Sequence, residues 1–170
     1  QTIGSIRSRV YQVLWEIHNL QLGGDPSGHS AAQRFEFWKA AIGIIKDHRW
    51  TGVGTGDLPE AFRNQYQKMD SPLSEKWRLR SHNQYLSFAV AFGIPGLLWF
   101  LATLLMPLIS KIRSRNFLYA SFAIAAMVSM ITEDTLETQA GVTFFALFNS
   151  LFLFVNPQNS AGDGKKGPED

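Results

Sequence analysis

The sequence predicts an all-α fold: a fragment of a polytopic membrane protein in which a helical, water-facing segment precedes three membrane helices. Three observations carry this. The chain has 170 residues, with no charge from Asn83 to Ser110, from Asn116 to Thr132, or from Thr138 to Gly162. Roughly 20 apolar residues span bilayer hydrocarbon as a helix, so blocks of this kind exclude an ordinary soluble core. By contrast, residues 1–82 hold 11 basic and 8 acidic side chains and repeat their apolar residues at helical spacing.

Ile3, Ile6, Val10, Val13, Leu14 and Ile17 form one stripe of an amphipathic, interfacial helix, with Arg7, Arg9 and Glu16 off it. The run Gly23 to Gly28 should end that helix. Ser30 and Gln33 have capping-box spacing and open a second helix. Its expected buried stripe is Phe35, Trp38, Ile42 and Ile45, and its end lies near Asp47. A Gly-rich turn follows at Gly52-Val53-Gly54-Thr55-Gly56. Asp57 and Glu60 suggest a second capping box, for a short helix carrying Phe62 and Tyr66, and Asp70-Ser71-Pro72 breaks the chain again. A polar approach, Glu75 to Arg80, leads to the first apolar block.

The membrane region is expected over 83–155, with spans at about 86–109, 117–131 and 140–155. Gly93, Pro95 and Gly96 fall inside the first span, where neighbouring groups must re-satisfy the backbone. The basic loop Lys111 to Arg115 reads as cytoplasmic. That puts residues 1–82 and the acidic turn Glu133 to Glu137 on the opposite face, and returns a disordered tail, 156–170, to the cytoplasm. Gln1 in place of Met, with no signal-like opening, reads as the C-terminal part of a longer protein.

Several function classes fall away. The chain has no cysteine, which excludes thiol catalysis, disulfides and thiolate metal sites. It has no basic stripe suited to a nucleic-acid partner. The glycine run lacks a preceding strand and the Lys-Ser/Thr ending of a P-loop, so it reads as a structural turn. His18, His29, His48 and His82 stand at no metal-ligand spacing.

His82 is distinguished by its address, where the polar loop meets the first span. A histidine there can accept a proton near pH 7 or serve as an interfacial anchor. Arg78, Arg80, Asn83 and Tyr85 flank it and are candidate substrate-binding residues by position. Arg34 sits near the start of a helix, where its charge opposes the helix dipole and calls for another partner. Such an arginine can be a solvated surface residue or a phosphate ligand. Glu133, Asp134 and Glu137 read either as a carboxylate site or as a polar turn between spans.

The ordered series Arg34-x-x-x-Trp38, Gly52 to Gly56, His82-Asn83-Gln84-Tyr85-Leu86 and Phe92-Gly93-Ile94-Pro95-Gly96-Leu97 resembles the C-terminal half of the O-antigen ligase and O-antigen polymerase superfamily. The Glu133 turn followed by Gly141 and Phe144-Phe145 is similar too, and the likeness runs from about Ser30 to Phe154. The resemblance implies a bacterial inner-membrane glycosyltransferase with a large periplasmic loop, here Ser30 to Arg80. It implies a glycan donor carried on undecaprenyl diphosphate, and no metal or cofactor. Arg34 and His82 match the functional arginine and histidine of that superfamily as catalytic residues. A second functional arginine has no counterpart in this chain, so the fragment alone should be inactive.

The expected reaction moves the glycan to an acceptor hydroxyl, with inversion at the anomeric carbon. The first expectation is an O-antigen ligase, whose acceptor is the lipid A core. The alternatives are a polymerase of O-antigen or exopolysaccharide, whose acceptor is another lipid-linked glycan, and a protein O-oligosaccharyltransferase. A non-catalytic membrane subunit of polysaccharide assembly is the competing class.

Overall fold

The computed structural model describes residues 2–22, 30–113 and 115–154, and these are all-helical, with no strand. The helices are α1 (Thr2–Gln21), α2 (Ser30–Asp47), α3 (Leu58–Lys68), α4 (Gln84–Arg113), α5 (Phe117–Ser129) and α6 (Gln139–Phe154). Short 3₁₀ turns lie at Glu75–Trp77 and Thr135–Glu137. The expected turn at Gly23 to Gly28 and the expected tail lie outside the described residues.

Among the described helices, α4 alone is long and apolar enough to cross a membrane, over Gln84–Ile112. The expected second and third spans are apolar helices of 13 and 16 residues, short of the roughly 20 that a full perpendicular crossing needs. α4 nonetheless packs on α5, and α5 on α6. Asn116 caps α5 by accepting from the Tyr119 amide and donates to the Phe152 carbonyl at 3.2 Å, while Tyr119 donates to Asn149 at 3.1 Å. Outward, Trp99, Met106, Ile109, Phe117, Leu147 and Phe154 are exposed, an apolar surface of the kind that meets lipid or another protein.

The core of the loop region corrects one expectation. α2 buries Phe37, Ala40, Ala41 and Ile44 against Phe62, Tyr66, Leu73 and Val90. Phe35 and Ile42 of the expected stripe are exposed, and Trp38 and Ile45 are half-buried. The helix carries apolar residues on most of its surface, so periodicity alone could not choose the face. Alanines let α4 approach closely. The same face buries Glu36, which accepts from Lys39 at 2.8 Å and Ser71 at 3.1 Å, the pairing that a buried carboxylate requires. α3 begins where expected, with Pro59 in its first turn, but Asp57 makes no side-chain cap bond.

α1 departs from its expected stripe in a similar way. Val10, Val13 and Leu14 are exposed, whereas Glu16 is buried and accepts from the Ala31 amide at 3.3 Å. That bond satisfies one of the free N–H groups at the start of α2.

α4 is broken at Gly93, which adopts φ 69° and ψ −172°. Pro95 has no N–H to give the Ala91 carbonyl, and the Ile94 amide turns away to the Arg49 carbonyl at 2.8 Å. The glycine-rich turn fills both vacancies, with Val53 N donating to Val90 O and Gly54 N to Ala91 O, each at 2.9 Å. Contact is so close that a Cβ on Gly52 would lie 2.3 Å from the Ala91 carbonyl oxygen, and one on Gly93 2.7 Å from the Trp50 carbonyl. The Gly52 to Gly56 run is thus a backbone plug for a broken apolar helix.

Candidate functional site

The start of α4 is stitched to the turn between α5 and α6. Gln84 donates its amide to Met130 O at 2.9 Å, and its side-chain oxygen accepts from the Leu136 amide at 2.7 Å. Asn83 donates to Ile131 O at 2.8 Å and accepts from Leu86 N at 3.0 Å, so it caps α4 as well. Tyr85 donates to Met127 O at 2.8 Å. Backbone carbonyls of α5 and the following turn therefore set the position of residues 83–85.

His82 is held just before that stitch. It is one of the few non-glycine residues with positive φ, at 46°, a conformation that costs roughly 1–2 kcal/mol for an L-residue. Its neighbours hold it there. Ser81 is fully buried; its carbonyl accepts from the Trp38 indole at 3.1 Å, and its hydroxyl reaches Asn83 O and Ser87. The Phe37 ring lies 5.7 Å from the imidazole. The first helix turn of α4 and one face of α2 thus fix the histidine together.

The stitch carries the acidic turn over the arginines. Arg34 Nη2 lies 3.3 Å from Glu133 Oε1. Arg80 pairs with Glu137 and stands 3.9 Å from Asp134. Asp134 is 7% exposed, and neither carboxylate oxygen accepts a hydrogen bond among the described residues. Burial raises its pKa above the usual carboxylate range, the Glu137 and Glu133 charges add to this, and His82 and Arg80 pull the other way. Carboxylates and guanidiniums from α2, the pre-α4 loop and the α5–α6 turn thereby gather at the acidic turn, where the Asp134 carboxyl feels the His82 charge.

His82 and Arg80 also line an open pocket of about 640 Å³ between α3 and the 75–82 segment, with Arg63, Gln67, Glu75 and Arg78 among its other walls. Arg78 donates through Nε to Leu73 O at 2.9 Å. Tyr66 donates to Leu79 O at 2.6 Å, and burial, with the Glu36 charge, raises the phenol pKa. The phenol is therefore a lasting donor that holds the pocket wall.

The sequence model of the O-antigen ligase family matches residues 2–101, more than half of the chain. The chain belongs to the O-antigen ligase family. No curated protein matches it. The family match contains Arg34, Arg78, Arg80, His82, Asn83 and Tyr85; the acidic turn and α5–α6 lie beyond it.

In this O-antigen ligase family chain the residues singled out from sequence divide by environment. Arg34, Arg80 and His82 come together beside the acidic turn, and Arg78 faces the pocket with His82 and Arg80. The polar groups of Asn83 and Tyr85 are engaged with backbone. Sequence reasoning did not single out Gln84 or Trp38 as site supports. Both act through bonds to distant backbone, and nothing in local spacing signals that.

Proposed function

We propose that this chain carries the donor-binding and proton-accepting half of a glycosyltransferase that uses an undecaprenyl-diphosphate-linked glycan at the periplasmic face of the bacterial inner membrane. The observation that carries the reading is the convergence of Arg34 and His82, from separate segments, on one acidic turn at the mouth of α4. A lipid-borne donor meets such a site at the membrane surface.

The diphosphate leaves already ionised, so the demands on the protein are anion stabilisation and removal of one proton from the acceptor hydroxyl. Arg34 takes the diphosphate, with Arg80 beside it; both guanidiniums already hold carboxylate oxygens, and the same planar donors suit phosphate. His82 accepts the hydroxyl proton. The buried Asp134 carboxylate, which feels the His82 charge, favours the imidazolium that results. Attack opposite the leaving diphosphate inverts the anomeric carbon, and no step calls for a metal. Asn83 and Tyr85 hold His82 at the head of α4 and border the bound substrate.

The first assignment is an O-antigen ligase with lipid A core as acceptor, in a multi-pass protein with residues 1–82 periplasmic. A polymerase or a protein O-oligosaccharyltransferase would use the same site with another acceptor. Reconstitution of the whole protein in liposomes with a lipid-linked glycan and lipid A core tests this. Transfer by wild type, lost in Arg34→Ala and His82→Ala at equal protein levels, is expected. Transfer unaffected by both substitutions would leave a non-catalytic assembly subunit as the better reading.

A further inference from the structure

We propose that the pocket between α3 and the 75–82 segment is the acceptor subsite, and that it selects a saccharide bearing a phosphate ester. The inference rests on the transferase reading above and adds the chemical class of the acceptor.

The pocket is placed for this. It opens on His82, the proton acceptor, and on Arg80, placed beside the donor diphosphate, while Arg34 is not among the residues that line it, so it adjoins the donor site without including it. Its walls come from residues 59–82, ahead of α4, so its occupant is a water-facing group and not a lipid chain. Its volume of about 640 Å³ falls in the range of roughly 300–1,000 Å³ typical of small-molecule sites.

Charge gives the class of ligand. Three arginines, Arg63, Arg78 and Arg80, face one carboxylate, Glu75. Arg80 is shared with Glu137 outside the pocket. Arg63 has no hydrogen-bond or ion-pair partner among the described residues, and the terminal nitrogens of Arg78 likewise have none, Nε alone being tied to Leu73 O. Two available guanidiniums on adjoining walls match a phosphate monoester, which carries about −1.5 to −2 charge near neutrality, and their fixed donors suit its oxygens. Gln67 and Glu75 supply an amide and an acceptor for sugar hydroxyls.

The test uses the whole protein in liposomes with a lipid-linked glycan donor. The acceptors are lipid A core before and after removal of its sugar phosphates with hydrofluoric acid. Wild type should prefer the phosphorylated acceptor, and Arg63→Ala should lower the ratio of kcat/KM for phosphorylated over dephosphorylated acceptor about tenfold, with Arg63→Lys restoring part of it. If Arg63→Ala does not reach the membrane, Arg63→Gln serves instead. An equal preference in wild type, or a ratio unmoved by the substitution, would overturn the phosphate subsite while leaving the transferase reading standing. No transfer to either acceptor by wild type would instead overturn the ligase assignment on which it rests.

Discussion

Arg34 on α2 lies 3.3 Å from Glu133, 99 residues later, in the turn between α5 and α6. Arg34 is partly exposed, at 35%, and Glu133 exposed, at 60%, and solvent-accessible ion pairs contribute only about 0–1 kcal/mol. The pair is therefore a poor explanation of stability and a better sign of what the guanidinium attracts. Glu133→Gln should change the unfolding free energy by less than about 1 kcal/mol and retain glycan transfer, whereas Arg34→Ala should abolish transfer. Thermal unfolding in detergent and transfer assays of both variants check this. Equal loss of activity in the two would make the pair itself the functional unit.

Asp134 gives a pH dependence with a defined sign. Its pKa in the folded chain is raised above 3.8, so the folded state holds the proton more readily than the unfolded chain. The contribution of this group to stability is then fully present below 3.8 and is lost as pH rises through the raised value. Unfolding temperatures measured across that window should fall with rising pH, and Asp134→Asn should flatten the slope. The same substitution removes the charge facing His82 and should lower kcat more than it raises KM. An unchanged slope in Asp134→Asn would show that another group titrates.

Gly52→Ala and Gly93→Ala should each cost more than about 2 kcal/mol, because each adds a Cβ at positive φ and into opposing backbone. The expected phenotype is loss of protein from the membrane, seen by quantitative immunoblot. Gly54→Ala is the control: its φ is also positive but nothing lies within 4 Å of the added carbon, so its loss should be smaller. Equal losses at all three would remove close packing as the cause.

Trp38→Phe keeps an aromatic ring but removes the donor to the buried Ser81 carbonyl. A loss of about 1–3 kcal/mol follows from leaving that carbonyl unsatisfied. Transfer should drop further than protein level does, since the bond holds the residue next to His82. Parallel measurement of abundance and specific activity separates the two effects, and equal proportional losses would assign Trp38 to folding alone.

Topology is open to single-cysteine labelling, because none of the 170 residues is cysteine. Asn64 and Arg115 are both exposed and lie on either side of α4. With one crossing between them, Asn64→Cys should label from the periplasm and Arg115→Cys only after the inner membrane is permeabilised. Labelling of both from the periplasm would contradict a transmembrane α4.

The bounds of α2 and the start of α3 were legible because each rests on local chemistry, helix formers between breakers, although Asp57 does not make the cap bond its spacing suggested. Gly93 and Pro95 marked where the first span needs outside backbone partners but not that the helix breaks there. The buried face of α2 was not legible, since apolar side chains occupy both candidate stripes and the choice falls to alanines packing against α4. At the site, His82 and Arg34 stood out by address and by an unfavourable helix position. Their meeting with Glu133, Asp134 and Glu137 did not, because it depends on bonds from residues 83–85 to backbone more than 40 residues away. Such pairings leave no periodic trace in sequence.

On the proposed function, His82 takes the acceptor proton in transfer from a lipid-linked donor. The most direct test of this claim is to extract undecaprenyl-linked glycans from cells carrying the whole protein as wild type or as His82→Ala, and to compare their amounts and lengths. Long lipid-linked chains should accumulate in the mutant, as they would when an en bloc transferase cannot unload its donor. No accumulation of any lipid-linked glycan, with the mutant protein present at normal levels in the membrane, would contradict the claim and leave His82 as an interfacial anchor.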